Sequence, residues 1–268
     1  MCSGAMIAWL VVLSRVAAAL TAVSRRQVGC GLVAGTLFNN NDRASAAAEW
    51  RCALPEDWAI QKRQESSVRI RAETMLVASS SSQEVKLLKI PLGRSAATSF
   101  EPEEQIELSR YFASRQSGVE PKRVADIFAS SLQRQAANPA SPLLAATVDL
   151  DSATVSSRQA KRYLSLDYAT DGCRKLDEDG ACVGRSSKVA TAVLTVSLES
   201  QARTQEEQRR MDRGDLEERY VDTLWLFTAT APRAGAADDR RRKAQSSLSD
   251  AERLQALRQI TSSFEVLD

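Results

Sequence analysis

Apolar residues recur along this chain in three patterns: unbroken runs at the front, alternating stretches through the middle, and helical stripes between and after them. Two β-leaning runs, 68–79 and 84–91, flank a serine tract at Ser79, Ser80, Ser81 and Ser82, a pattern that predicts a hairpin. Val124, Ile127, Phe128, Ser131 and Leu132 fall on one face at helical spacing. They predict a helix over 121–135, opened by Pro121 at its first position and ended by Asn138-Pro139. A shorter helix is predicted at 103–114. Four strands are expected at 144–155, 160–168, 189–200 and 220–231. In the third, Ala192, Leu194, Val196 and Leu198 make a dense face, and Thr191, Val193 and Thr195 a half-polar one. In the fourth, Leu224, Trp225, Leu226 and Phe227 are apolar on both sides, which predicts a central strand covered on both faces. Ser249 and Glu252 form a capping-box pair ahead of the stripe Ala251, Leu254, Leu257 and Ile260, and 264–267 is read as a short final strand. The mixed-charge stretch 199–218 reads as a solvated loop or an exposed helix end. Strands gathered between a hairpin and two packing helices give an α+β domain with an antiparallel sheet covered by helices.

The front differs in kind. No acid precedes Asp42, and Arg15 interrupts the apolar run 6–23, which is short and carries a costly charge for a membrane span. Ser24-Arg25-Arg26-Gln27-Val28 is a twin-arginine motif, followed by the mildly apolar run 28–38 and by Ala44-Ser45-Ala46, a small-residue cleavage site. Two stacked signals of this kind resemble the bipartite leader of nuclear-encoded thylakoid lumen proteins. The expected organisation is a targeting peptide over 1–46, an N-terminal segment over 47–66 and a domain over 67–268. An uncleaved helical anchor is the alternative.

Composition then narrows the chemistry. Residues 1–46 hold four arginines against one acid, which leaves 32 basic and 33 acidic side chains and a net charge of −1 in the remainder. A near-neutral domain offers no electrostatic footprint for nucleic acid. Histidine is absent, which excludes Ser-His-Asp, Cys-His and His-zinc schemes. Neither a nucleophile motif nor a phosphate-binding glycine loop is present.

Candidate sites are few. Cys173 and Cys182 bracket an Asp/Gly-rich loop and suit either a hairpin disulfide or two thiols. Asp177-Glu178-Asp179-Gly180, with Asp171 nearby, suggests calcium. An EF-hand loop would need Glu where Lys188 stands, so a plain turn is the simpler reading. Asp149 and Asp151, two apart on a strand, are expected to share a face, either as a metal-binding or acid–base pair or as exposed strand positions. Arg240-Arg241-Arg242-Lys243 suits docking to an acidic surface, or is a solvated helix approach. No cofactor is required, and calcium is the ion left open.

Several segments together resemble the PsbP family of extrinsic photosystem II proteins. Leu54-Pro55-Glu56-Asp57-Trp58 looks like its entry motif, and the helix at 121–135 sits where the family has its first long helix. Arg162-Tyr163-Leu164-Ser165-Leu166-Asp167-Tyr168 matches its aromatic-bearing middle strand. The run from Asp222 to Ala231, a helix, and Ser263-Phe264-Glu265-Val266 look like its closing pattern. The similarity covers residues 50–268, with insertions at 199–218 and 233–247. It implies an α/β/α sandwich around an antiparallel sheet and a non-enzymatic role at the lumenal face of photosystem II. There the family stabilises the oxygen-evolving complex with its calcium and chloride, or assists assembly. A photosystem I assembly factor and a lumenal ligand-binding protein are the alternatives, with a His-free lumenal enzyme behind them. The family's metal-associated histidines have no counterpart here, which sets direct manganese or zinc binding aside. Its basic docking residues are matched only loosely, by Arg51, Lys62 and Arg63.

The leader reading predicts that N-terminal sequencing of the natural protein starts at or just after Ala47. Recovery of an intact Met1 would overturn it.

Overall fold

Alternating apolar positions demand partners on both sides of the central strands, and two sets of helices supply them. The computed structural model describes residues 49–64, 72–80, 82–93, 99–113, 118–177, 182–200, 205–215, 220–234 and 248–267. All lie within the unit Ala46–Asp268. In chain order the elements are β1 (Trp50–Arg51), β2 (Ala59–Arg63), β3 (Glu73–Ser79), β4 (Glu84–Pro91), α1 (Pro102–Ala113) and α2 (Pro121–Ala137). There follow β5 (Leu143–Arg158), β6 (Lys161–Leu176), β7 (Cys182–Ser200), α3 (Gln205–Asp212), β8 (Tyr220–Pro232), α4 (Asp250–Thr261) and β9 (Glu265–Val266). The architecture is α+β. Seven strands form one sheet in the order β2-β3-β4-β8-β7-β6-β5, antiparallel at every junction, and β1 pairs with β9.

Strand β8 occupies the middle of this order and is buried on both faces. Leu224 and Leu226 join Leu164, Leu166, Ala192 and Leu194 beneath α1 and α2, which contribute Leu108, Tyr111, Val124, Ile127 and Phe128. Trp225 and Phe227 face the other way with Val85, Leu87, Tyr163 and Val193, beneath Leu257 and Ile260 of α4. Burying each such side chain stabilises the fold by about 1.5–3 kcal/mol. The dense face read for β7 ends before Leu198, which is 65% exposed.

The two ends of the described chain meet on the α4 side. Trp50 is fully buried, its indole N–H donates to the Gln64 carbonyl at 3.0 Å, and β1 pairs Trp50 with Val266. Phe264 lies 5.1 Å from the ring of Phe227, the Ala53 amide donates to the Ser263 hydroxyl at 2.9 Å, and Trp58 is buried in the same cluster. Lys89 is buried here too, between the carboxylates of Glu49 at 2.7 Å and Glu199 at 2.5 Å, over the face of Trp225.

The middle strands run longer than the residue pattern predicts. β6 continues past Tyr168 to Leu176 and β7 begins at Cys182 rather than Val189, so the hairpin pairs up to both edges of the stretch 177–181. Cross-strand pairing from Leu164↔Leu194 to Leu176↔Cys182 overrides the weak local propensity. Gly172 is required where β6 passes the start of β5, because a Cβ there would lie 2.9 Å from the Pro142 carbonyl oxygen. The β5–β6 turn holds Gln159 and Ala160 at φ 45° and 62°, the left-handed region that side chains disfavour. Its flanking Arg158 donates to the Phe264 carbonyl at 2.7 Å, so this turn also grips the C-terminal end.

Helix α4 opens with the predicted capping box. The Glu252 amide donates to the Ser249 hydroxyl at 3.3 Å, and the Ser249 amide donates to the Glu252 carboxylate at 2.8 Å. The Ser249 amide and hydroxyl hold the Glu252 carboxyl below its ordinary range. A depressed folded pKa stabilises the fold above the unfolded value and loses that contribution as pH falls through the folded value. Ser249→Ala should therefore lower stability by about 1 kcal/mol at neutral pH. Denaturant titrations should show the deficit narrowing as pH falls below the ordinary glutamate range.

Candidate functional site

Helix α4 packs on β7 and β8 but does not extend over β5 and β6, so a cavity of about 390 Å³ remains beside it. The register builds its floor. Ala145 pairs with Asp171, Thr147 with Ala169, and Asp149 with Asp167. These positions are spaced by two along each strand, so all six side chains face the α4 side. Val189 and Leu254 complete the apolar part, and Arg233 and Asp250 stand at the rim.

Asp167 is only 4% exposed and is the best-anchored charge in the site. Its carboxylate accepts from the Thr191 hydroxyl at 2.9 Å and from Arg258 Nε at 3.3 Å, with a second contact to the Arg258 guanidinium. That pairing, reinforced by the charge of Asp149, raises the Arg258 pKa above its ordinary value against the opposing effect of burial. Arg233 Nε pairs with Asp250 at 3.1 Å, and the Ala234 amide donates to the other Asp250 oxygen at 2.7 Å. At the other two carboxylates, the Ser187 hydroxyl donates to Asp171, and the Asp151 amide donates to Asp149 at 3.1 Å.

Asp149 and Asp151 do not share a face. The β5–β6 register shifts between Asp149 and Thr154, and this irregularity turns Asp151 away from the cavity. Asp151 pairs instead with Lys122 of α2 at 2.6 Å, and the ammonium holds its carboxyl below the usual range. Among the described residues, no group of three or more His, Cys, Asp or Glu side chains converges as metal ligands do. Cys173 and Cys182 are joined by a disulfide with Cα atoms 5.4 Å apart, which closes the β6–β7 hairpin. A loop this short contributes about 2–3 kcal/mol in the chain-entropy model. Arg51 pairs with Glu265, and Arg63 lies over the ring of Trp50, so two of the three loosely matched basic residues are engaged within the domain. Arg25, Arg26, Ala44, Ala46, Arg240, Arg241, Arg242 and Lys243 lie outside the described residues, as do Glu178, Asp179 and Gly180.

The chain matches no family model. No curated protein matches it either. Among solved structures, the crystal structure of LpqN, involved in cell envelope biogenesis of Mycobacterium tuberculosis, aligns at 10% identity over 82% of this chain and 83% of that one. The TM-score is 0.33, a level at which the likeness bears on neither fold nor activity. No helix among the described residues is long and apolar enough to cross a membrane.

Two residues of the site, Asp167 and Arg258, are not singled out by the sequence. Asp167 stands between Leu166 and Tyr168 in an alternating strand, where an acid reads as a surface position. The available signal was its place on the face opposite Leu164 and Leu166, which a helix covers only in three dimensions. Asp167→Asn should lower unfolding free energy by about 1–3 kcal/mol, the range for a buried charged hydrogen-bond partner. Arg258→Ala should cost more, because it leaves the Asp167 carboxylate, whose side chain is 6% exposed, charged and without that partner, whereas Asp167→Asn leaves a neutral amide facing a guanidinium that water can reach. Equal losses in denaturant titrations would contradict this ordering.

Proposed function

We propose that the part of the chain from about Ala47 onward is a PsbP-like extrinsic protein of the thylakoid lumen. In this reading it is associated with photosystem II, and it stabilises the oxygen-evolving complex or assists its assembly by contact rather than catalysis. One observation carries the reading. The entry motif around Trp58 and the closing Ser263-Phe264-Glu265-Val266, at opposite ends of the domain's sequence, pack into one unit. There Phe264 and Val266 share a cluster with Trp50, Trp58 and Trp225. Helices on both sides of an antiparallel sheet support the finer description, an α/β/α sandwich. The twin-arginine leader ending at Ala44-Ser45-Ala46 supports the compartment.

The partner in this reading is a lumenal subunit or assembly intermediate of photosystem II, held at the membrane periphery through charges that salt screens. Affinity purification of a C-terminally tagged chain from thylakoids, followed by mass spectrometry, should recover photosystem II components. A wash in about 1 M salt, where the Debye length is about 3 Å, should release the protein. Recovery with photosystem I components alone, or in the free lumenal fraction without any photosystem subunit, would reject the assignment.

A further inference from the structure

A second cavity, of about 470 Å³, lies on the other side of the sheet, where α1 ends and α2 begins. Its floor is Val155 and Ser157 of β5 with Arg162 of β6, brought together by the pairing of Ser157 with Arg162. Tyr111 closes it from α1, and Val119 and Pro121 lead past it into α2.

Hydrogen-bond donors meet in this cavity without a counter-charge. Arg162 is half-buried, donates to the Tyr111 carbonyl at 2.7 Å and lies 4.6 Å from the centre of the Tyr111 ring. A guanidinium has five N–H donors. Among the described residues no carboxylate pairs with this one. The neighbouring acids serve other cations: Glu107 holds Arg123 at 2.8 Å and Asp151 holds Lys122 at 2.6 Å. Glu120 is exposed, and its charge also acts on Lys122. The stretch Ser114-Arg115-Gln116-Ser117, outside the described residues, contains no acid and can supply no counter-charge.

Tyr111 points to the same kind of ligand. It is 1% exposed, and Arg162 meets its phenol as a donor only. The hydroxyl proton therefore needs an acceptor, and none is found among the described residues. Burial raises the pKa of this phenol, against the charge of Arg162, so the proton stays in place. The N-terminus of α2 adds positive potential, because Glu120 makes no side-chain cap and the first turn carries no acid. A buried hydroxyl proton, a guanidinium and a helix N-terminus thus converge, and one anion satisfies all three.

We propose that this cavity binds a small organic carboxylate, its charged end at Arg162 and Tyr111 and its apolar end against Val119 and Val155. The guanidinium fork matches a carboxylate through two parallel hydrogen bonds. Val155 is 45% exposed, and an apolar substituent covers it. An inorganic anion leaves that wall in water, and a neutral amide leaves the guanidinium without a charge. The site lies apart from the cavity beside α4 and does not rest on the photosystem reading.

Isothermal titration of the purified full chain with phenylacetate tests the assignment. Phenylacetate should bind about tenfold tighter than phenylacetamide, its neutral counterpart, and tighter than acetate or inorganic phosphate. Val155→Glu, at an exposed wall position, gives Arg162 a carboxylate of its own and should abolish binding while leaving the thermal midpoint in place. Tyr111→Phe should weaken binding several-fold. Absence of phenylacetate binding, equal binding of phenylacetamide, tighter binding of phosphate, or full binding to the Val155→Glu chain would overturn the proposal. The ligand comparisons use the unaltered chain, so they hold even if a variant misfolds. Photosystem co-purification is read separately, and either result can fail without the other.

Discussion

Strand β8 has to be buried on both faces, and the remaining elements are arranged to meet that requirement. A single helical layer would leave either Leu224 and Leu226 or Trp225 and Phe227 in water. Hydrophobic burial is the dominant favourable contribution to folding, so the second layer is obligatory. On one side α1 and α2 supply it from the middle of the chain. On the other, α4 and the two terminal segments supply it from opposite ends of the domain. The strand order follows from the same demand. β8 inserts between β4 and β7, and the last long strand of the sequence thereby becomes the central strand of the sheet.

The two layers cover unequal widths. The pair α1 and α2 spans the sheet as far as β5, whereas α4 is one helix of 12 residues seated on β7 and β8. The cavity is what remains where the narrower layer stops. Its chemistry comes from β5 and β6, whose side chains on that face switch from Tyr163, packed under Phe264, to Asp167, Ala169 and Asp171 beyond the helix. Asp167 lies at the boundary and is neutralised from α4 by Arg258. The same strand thus serves as core at one end and as a charged floor at the other.

Closure of the chain ends on each other gives the domain a continuous apolar cluster on its narrower side. Trp50 is more than two hundred residues from Phe264 and Val266 in sequence yet shares that cluster with them. Ion pairs secure its border: Lys89 with Glu49 and Glu199, and Arg51 with Glu265. A buried cation between two carboxylates is weak evidence of net stabilisation, but removing one member leaves a charge without its partner. The border therefore fixes where the N-terminal segment runs.

Period and capping in the sequence alone determined the types of the long elements from β3 onward, the central place of the strand around Trp225 and the capped helix at Ser249, but not the short strands β1 and β2. These are local properties, set by side chains a few residues apart. Only the tertiary structure decided that β6 runs on to Leu176 and that β7 starts as early as Cys182, because pairing such as that between Asp171 and Ser187 is non-local. It also separated Asp149 from Asp151, which local alternation had put together, through a register shift that depends on β6. And it made Asp167 a buried charge. Burial on a strand face depends on which helix lies above it and how far that helix reaches, and neither quantity is written in the strand.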